Sequence, residues 1–312
     1  MASLSFKKVD KEIIENILKE NKPYFQEIKN PTLSALIKTT NNETISIFKN
    51  KTVLIQADNP TDFALRYKLI FKNNSQAVQA KQLPTVVKLI SPEIINKEET
   101  ILGCDEVGVG DFFGPLVTCC AYVASSFKDE YPKIYSKIKD SKKLTNSQIY
   151  ELYEDLQGKI GFSVFIMDNT LYNHLYDLFK NTHKLKALAH NQALLNWFEA
   201  NSQDMYYSKI VMDKFVEAKH YFSYLSDRKE VIHDKMEFHT KAEDKYIAVA
   251  CASIIARYHF LEKIKMLELE FKVELPLGAN NSVKLKVQKY KKNNWDVVHH
   301  FTKMHFNSKI TN

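Results

Sequence analysis

The chain has few cysteines, and their spacing excludes the usual cysteine-based sites. Only 4 of its 312 residues are cysteine, and no two of them have the CxxC spacing of a redox or zinc motif. All of them lie inside apolar segments, so we expect buried, reduced thiols rather than a disulfide framework. The four positions are Cys104, Cys119, Cys120 and Cys251.

Signals for export and for membrane insertion are also missing. The stretch MASLSFKKVDKE at the start has no apolar run of the kind found in a secretory signal. The longest apolar runs, near 116–124 and 246–256, are much shorter than the roughly 20 residues that a membrane-spanning helix needs. We therefore expect a cytoplasmic protein that does not bind membranes.

Length and charge set only broad limits. A chain of 312 residues with 45% hydrophobic residues is long enough for two domains, each with its own core. Lys and Arg (44) outnumber Asp and Glu (37), which gives a net charge of +7. This excess suits a polyanionic partner but is common in other proteins, so charge alone identifies no function.

The first part of the chain predicts a small α+β domain. Apolar spacing predicts a helix over 9–21 with Asp10 as its cap, and three alternating segments within 33–58 predict a meander. The meander's turns are expected at Asn41-Asn42 and Asn50, since asparagine tolerates the left-handed conformation. A second helix is predicted from Pro60 through Lys72. We predict a domain over 1–72 and a polar linker over 73–100.

The remainder, 101–312, predicts an α/β domain with a central sheet flanked by helices. Strand-like and helix-like segments are interspersed along it. Strands are predicted at 101–106, 116–124, 161–167 and 207–212, and helices at 146–157, 169–179, 184–200 and 243–268.

Two adjacent acids, Asp105 and Glu106, interrupt an apolar strand and lead into Gly108 and Gly110. Because side chains alternate along a strand, neighbouring carboxylates can serve one site only where the strand ends. The two glycines allow the backbone to turn there and another backbone, such as a nucleic acid strand, to approach closely. The alternative is an ordinary strand-to-loop junction with solvated acids.

Two further acids occupy positions where sites are often built. Asp213 ends the strand-like YYSKIVMD, and Glu243 opens a long helix, where the helix dipole favours a carboxylate. Taken singly, each is equally consistent with capping or favourable helix-end charge. Together with Asp105 and Glu106 they would form an oxygen-only cage suited to Mg²⁺ or Mn²⁺. Two such ions are a common device for phosphodiester cleavage.

The stretch GCDEVGVGDFFGP resembles the signature of the type 2 ribonucleases H, and ribonuclease HIII more closely than ribonuclease HII. Other blocks of that family follow in the same order: DSKKLT at 140–145, KLKALAHNQAL at 184–194, IVMDKF at 210–215, KAEDKYIAVACASIIAR at 241–257, LPLGA at 275–279 and KMHF at 303–306. The resemblance implies a ribonuclease H-like catalytic domain over 101–312. It also implies a TATA-binding-protein-like, substrate-binding domain over 1–72.

The resemblance further implies an endonuclease that cuts the RNA strand of RNA/DNA hybrids and leaves 3′-hydroxyl and 5′-phosphate ends. The catalytic and metal-binding acids of the family correspond to Asp105, Glu106, Asp213 and Glu243, which would hold two Mg²⁺ or Mn²⁺ ions. Contacts to the hybrid are predicted at Gly108, Val109, Gly110, Lys143, Lys184 and Asn191. For the lysines the alternative is solvated surface, and for Asn191 it is a buried helix-to-loop hydrogen bond. No obligate protein partner is expected, and the protein is predicted to be a monomer.

Other functions remain to be weighed against this one. Ribonuclease HII has an arginine between the two glycines where this chain has Val109, so we predict weak activity on single ribonucleotides embedded in DNA. A non-catalytic hybrid-binding protein is a second alternative, but the retention of all four acids argues against it. A Rossmann dinucleotide site is excluded because Pro115 and a strand-like segment follow the glycines, where that motif needs a helix.

Overall fold

The computed structural model describes residues 2–28, 30–40, 42–57, 63–64, 67, 69, 86–87, 100–139, 144–201, 205–293 and 295–306. The chain separates into two compact units, residues 1–82 and 83–312. Most of the predicted helix from Pro60 to Lys72, and all of the predicted linker except 86–87 and 100, lie outside the described residues.

The first unit contains a four-stranded antiparallel sheet with the strand order β1-β4-β3-β2. Its elements are β1 (Ala2–Phe6), α1 (Lys11–Glu20), β2 (Leu33–Lys38), β3 (Thr44–Phe48) and β4 (Val53–Ala57). The predicted helix and meander are confirmed. The additional strand β1 pairs with β4 over its whole length. Alternation along the strands buries one row of apolar side chains, including Ile37, Ile45, Ile47, Val53 and Ile55.

Local details of this unit differ from the predictions. Asp10 occupies the N-cap position of α1, but its side chain makes no capping hydrogen bond. Asn42 has the left-handed conformation predicted for it, with φ of 57°. In the next turn the left-handed residue is Lys51, with φ of 63°, because Asn50 uses its side-chain oxygen to accept a hydrogen bond from the Thr52 amide at 3.1 Å.

The second unit is built on a six-stranded mixed sheet with the order β10-β9-β6-β7-β8-β5. The strands are β5 (Val86–Val87), β6 (Ile101–Val107), β7 (Leu116–Val123), β8 (Gly161–Met167), β9 (Lys209–Asp213) and β10 (Met236–His239). The four predicted strands are confirmed. β6, β7 and β8 form an antiparallel meander, whereas β9 runs parallel to β6 and β10 parallel to β9. The carboxyl termini of β6, β9 and β10 therefore lie together at one end of these parallel strands, called the carboxyl edge of the sheet below.

Helices cover both faces of this sheet. They are α2 (Phe127–Glu130), α3 (Pro132–Lys139), α4 (Asn146–Leu156), α5 (Asn169–Phe179), α6 (Thr182–Ala200), α7 (Ala218–Tyr224), α8 (Ile247–Phe271), α9 (Asn281–Asn293) and α10 (Trp295–Val298). On one face Gly103 of β6 packs against the backbone of Ala248 in α8. On the other face the Thr118 hydroxyl of β7 donates to the Ala189 carbonyl of α6 at 3.0 Å. This is a ribonuclease H-like α/β arrangement, as predicted.

Two helices, α4 and α5, begin where the sequence predicts, and both starts have side-chain caps. Thr145 and Gln148 form a reciprocal capping box at the start of α4, and Asp168 caps α5 through the Leu171 amide. The prediction that Glu243 opens the long helix is wrong. α8 begins at Ile247, and Glu243 lies in a preceding 3₁₀ turn, Ala242–Asp244, that follows a left-handed Lys241.

Two expectations about what the chain lacks can be compared with these elements. All four cysteines are buried and free, so the prediction of reduced core thiols is confirmed. No helix within the described ranges combines the length and the apolar character needed to span a bilayer.

We expect Gly103→Ala to destabilise the second unit, because the close packing of β6 on α8 leaves no room for a methyl group. A Cβ built on Gly103 would lie 2.2 Å from the carbonyl carbon of Ala248 and 2.3 Å from the amide nitrogen of Val249, both backbone atoms. Urea unfolding should show a loss of about 3 kcal/mol in the free energy of unfolding.

Gly110→Ala is the matched control for this test. A Cβ on Gly110 meets no atom within 4 Å, and Gly110 has no left-handed backbone conformation to strain. Its free energy of unfolding should therefore change by less than about 1 kcal/mol. Equal losses in the two variants would contradict the packing described here.

Candidate active site

Asp105 and Asp213 lie side by side at the carboxyl edge of the sheet. Their strands are parallel neighbours with Cys104 paired to Met212, so the next residues on each strand are Asp105 and Asp213. In-register residues of parallel strands share a face and are separated by the strand spacing of about 4.8 Å. The structure thus brings together two carboxylates that are far apart in the sequence.

The surroundings of Asp105 disfavour its charged form. Burial raises the pKa of Asp105 to about 8, and the neighbouring charges of Glu106 and Asp213 act in the same direction. Hydrogen bonds donated by the Ser253 hydroxyl and by the Glu106 amide, the latter at 2.8 Å, oppose this rise only in part. A divalent cation between the two aspartates would remove the repulsion, and carboxylate oxygens are the donors that Mg²⁺ and Mn²⁺ prefer. The pair therefore fits such an ion.

The turn that carries Glu243 is attached directly to Asp213. The backbone amide of Ala242 donates to Asp213 Oδ1 at 2.9 Å, which fixes the 3₁₀ turn Ala242–Asp244 at the end of β9. Glu243 is exposed on this turn, and so is its neighbour Asp244. Glu243 thus reaches the same edge of the sheet through a turn after β10, and it is not part of the helix itself.

Glu106 lies on the opposite face of the sheet from Asp105. β6 continues one residue beyond its predicted end, through Val107, so the side chains of the two adjacent acids alternate. Lys186 Nζ donates to Glu106 Oε1 at 2.7 Å, and His190 Nε2 lies 2.8 Å from Oε2. Burial alone would raise the pKa of Glu106, but the hydrogen bonds and charges of His190 and Lys186 lower it to about 2.

Sequence reasoning did not identify Lys186 and His190 as partners of Glu106. Lys186 and His190 lie four positions apart on α6 and so share one helical face. The same spacing can be read from the sequence KLKALAHNQAL. Phe215 covers both side chains: Lys186 Nζ lies 3.9 Å from its ring centroid, and the His190 ring is stacked at 5.7 Å. Nothing local indicates that this face meets a strand 80 residues earlier.

The predicted four-acid cage is not assembled. Within the part of the chain that the structure describes, no group of three or more His, Cys, Asp or Glu side chains is gathered closely enough to hold a metal ion. Asp105 and Asp213 are neighbours, Glu243 lies on the adjoining turn, and Glu106 is held on the other face. The physical cause for Glu106 is that side chains alternate along β6, which places it on the face opposite to Asp105.

The two glycines after β6 have different surroundings: packing requires a glycine at 108, whereas Gly110 has open space around it. Gly108 has φ of 95°, and a Cβ there would lie 2.2 Å from the carbonyl oxygen of Pro115. Gly110 is exposed, with no atom within 4 Å of the position its Cβ would take, and Val109 is half-buried between them. Only the segment from Val109 to Gly110 offers backbone to an approaching ligand.

The other predicted hybrid contacts have protein partners or lie outside the described residues. Asn191 is buried; its amide donates to the Glu230 carbonyl and its side-chain oxygen accepts from the Ile232 amide, both at 3.0 Å. This is the helix-to-loop arrangement. Lys184 Nζ lies 3.2 Å from Asp227 Oδ2, and Lys143 falls outside the described residues.

Known proteins resemble this chain along most of its length. The family model described as Ribonuclease HII matches residues 102–309, and a model described as Domain of unknown function (DUF3378) matches residues 6–80. The ribonuclease HIII of Bacillus velezensis is 35% identical over 268 residues, which cover 84% of this chain and 82% of that protein. The ribonuclease HIII of Phytoplasma mali is 34% identical over 251 residues, covering 77% and 85%.

Among solved structures, Bst-RNase HIII in complex with Mn²⁺ matches with a TM-score of 0.63 and 26% identity. The match covers 98% of this chain and 96% of that one.

We expect Asp105→Asn to stabilise the metal-free protein at pH 8. The pKa of Asp105 is raised to about 8 in the folded state, so the unfolded state loses this proton first and stability falls as the pH rises from about 4 to about 8. Asparagine removes that penalty and should increase the free energy of unfolding by roughly 2 kcal/mol. Urea unfolding in the presence of a chelator measures this change.

Glu106→Gln should have the opposite effect in the same assay. The pKa of Glu106 is lowered to about 2, so its contribution to stability is present above about pH 4.5 and is lost as the pH falls towards 2. Removing this carboxylate leaves Lys186 and His190 buried without their partner and should cost about 3 kcal/mol at pH 7. Changes of the same sign in both variants would show that the two acids do not occupy opposite electrostatic environments.

Proposed function

This chain belongs to the ribonuclease HII family and is similar to ribonucleases HIII over most of its length, and from that premise we propose that it cuts the RNA strand of RNA/DNA hybrids by metal-dependent hydrolysis. It is a ribonuclease H, an endoribonuclease. The observation that carries the proposal is the half-buried pair of Asp105 and Asp213 on adjacent parallel strands, which fits a divalent cation.

The metal requirement is the first part of the proposal. Asp105 and Asp213 would hold Mg²⁺ or Mn²⁺ at the sheet edge, and we propose two ions, with Glu106 and Glu243 as the remaining acids. Bound there, such ions would supply activation of a water molecule and stabilisation of the leaving 3′ oxygen, the chemistry expected to leave 3′-hydroxyl and 5′-phosphate ends. The complex of Bst-RNase HIII with Mn²⁺ supports a divalent ion in a related protein.

The residues of this chain divide the remaining tasks. Asp105, with a pKa of about 8, carries a proton near neutral pH and must release it when a cation binds, so metal binding should be stronger at higher pH. Lys186 and His190 keep Glu106 ionised on the other face of the sheet. Glu106 could reach an ion held by Asp105 only by leaving these two partners. Glu243 is exposed on its turn, at the side from which substrate would arrive.

Binding of the hybrid is the second part of the proposal. The exposed backbone at Gly110 supports close approach of a nucleic acid strand beside the aspartate pair. We propose residues 1–72 as a substrate-binding domain, 73–100 as a linker and 101–312 as the catalytic domain. In the sheet of the first unit, exposed polar residues such as Ser3, Ser5 and Gln56 alternate with half-buried or buried ones, so polar side chains on one face are accessible to a ligand.

We expect Asp213→Asn to abolish turnover while hybrid binding persists, because the substitution removes a metal-holding charge and leaves the rest of the surface unchanged. Cleavage of a labelled RNA/DNA hybrid with Mg²⁺ or Mn²⁺ measures turnover, and fluorescence anisotropy in a chelator measures binding. Asp177→Asn is the matched control, since the Asp177 side chain is 76% exposed on α5. Retained activity in Asp213→Asn would remove Asp213 from the site, and a wild-type protein that binds without cleaving would favour the non-catalytic alternative.

The choice of substrate separates the proposed activity from that of ribonuclease HII. Val109 occupies the position where ribonuclease HII has an arginine, so we expect efficient cleavage of a long hybrid and poor cleavage of a duplex with one embedded ribonucleotide. Both substrates should be digested side by side with each metal ion at equal enzyme concentration. Comparable rates on the two would favour the alternative, a ribonuclease HII-like specificity.

A further inference from the structure

Lys303 is a buried lysine that the proposed chemistry does not use. Its side chain is completely shielded from solvent, which is rare for lysine. Its Nζ donates to the backbone carbonyl of Asp111 at 3.1 Å and to that of Gly114 at 2.5 Å. Both acceptors are uncharged, and both lie in the segment that follows Gly108–Gly110. The lysine therefore contacts the part of the chain next to the proposed hybrid surface.

Several other groups form hydrogen bonds with the same segment, residues 111–114. The Lys303 amide donates to the Phe112 carbonyl at 2.8 Å, and the Gly114 amide donates to the Phe301 carbonyl at 3.0 Å, so the two backbones run together. From α5, the Asn169 side chain donates to the Gly114 carbonyl at 2.9 Å. A third part of the chain contributes Gly278, whose carbonyl accepts from the Phe112 amide at 3.2 Å and whose amide donates to Asp111 Oδ1. Segment 111–114 is thus held by residues from three remote parts of the chain.

This arrangement fixes the exposed glycine from both sides. On one side Gly108 is packed against the Pro115 carbonyl at the end of β6, and on the other Asp111 and Gly114 are held by Lys303. Gly110 lies between these points and has open space around it. Its backbone is presented in one conformation only while both attachments hold.

The surroundings of the Lys303 amine favour its uncharged form, which can still donate hydrogen bonds to backbone carbonyls. Burial lowers the pKa of Lys303 to about 7, although the charge of Asp111 opposes this effect. His305 interacts with it electrostatically from its own segment, and the Tyr172 ring of α5 lies 5.4 Å from Nζ. A neutral amine has two N–H groups, which matches its two carbonyl acceptors.

We propose that Lys303 is a positioning residue for hybrid binding, which holds the carbonyls of Asp111 and Gly114 and thereby sets the backbone of Val109–Gly110, against which the hybrid docks. This inference rests on the proposed function and deepens it. It assigns the C-terminal KMHF block a role in shaping the substrate surface. Lys303 touches neither substrate nor metal in this role.

Lys303→Met tests the proposal, because methionine keeps the apolar stem and removes both hydrogen bonds. We expect the KM for a long hybrid to rise roughly tenfold, while kcat changes less than about threefold, since the acids are untouched. Hydrogen exchange of the metal-free protein supplies a readout without activity: amides at 108–112 should exchange faster, and those of α4 should not. Lys133→Met is the matched control, because Lys133 is exposed on α3, and it should change none of these quantities.

Asn169→Ala provides a second variant, which weakens the hold on the Gly114 carbonyl from another element and should shift KM and exchange in the same direction. Unchanged KM and unchanged exchange at 108–112 in both variants would overturn the proposal. A fall in kcat at constant KM would also overturn it, because that result assigns Lys303 to the chemical step. Failure of the wild-type protein to cleave hybrid would instead reject the proposed function, and the exchange comparison would still test the attachment.

Discussion

The parallel pairing of β6 with β9 is the constraint on which the rest of the site depends. It sets Asp105 beside Asp213 on one face of the sheet, where Asp105 lies against the small-residue start of α8 and is desolvated. Two carboxylates in such a place repel each other and lose solvation, so the metal-free fold carries an electrostatic cost.

Strand alternation gives the two adjacent acids different chemistry. Asp105 faces α8 and keeps its proton near neutral pH, whereas Glu106 faces α6 and stays ionised between Lys186 and His190. One residue of displacement along β6 therefore reverses the sign of the pKa shift. The two faces of the sheet differ as a result: one carries the neighbouring carboxylates of Asp105 and Asp213, and on the other Lys186 and His190 neutralise the carboxylate of Glu106.

The glycine segment links this sheet edge to the C-terminal part of the chain. Gly108 must be glycine because the Pro115 carbonyl occupies the space of a Cβ, and the segment after it is held by the backbone and side chain of Lys303. The family match extends to residue 309 and so includes this C-terminal segment. The segment that follows the glycines is thus held by a residue nearly two hundred positions away in the chain.

Local patterns in the sequence were enough to predict β8, α5 and the start of α4, because periodicity and capping boxes act within a few residues. The family was also recognisable from short blocks. Only the tertiary structure decided that Glu106 turns away from Asp105, that α8 begins at Ile247 after Glu243, and that β10 adds an edge strand. It also decided that Lys186 and His190 contact Glu106, and that Lys303 contacts the carbonyls of Asp111 and Gly114. These features depend on contacts between segments remote in the chain, and such contacts leave no periodic signal in the sequence.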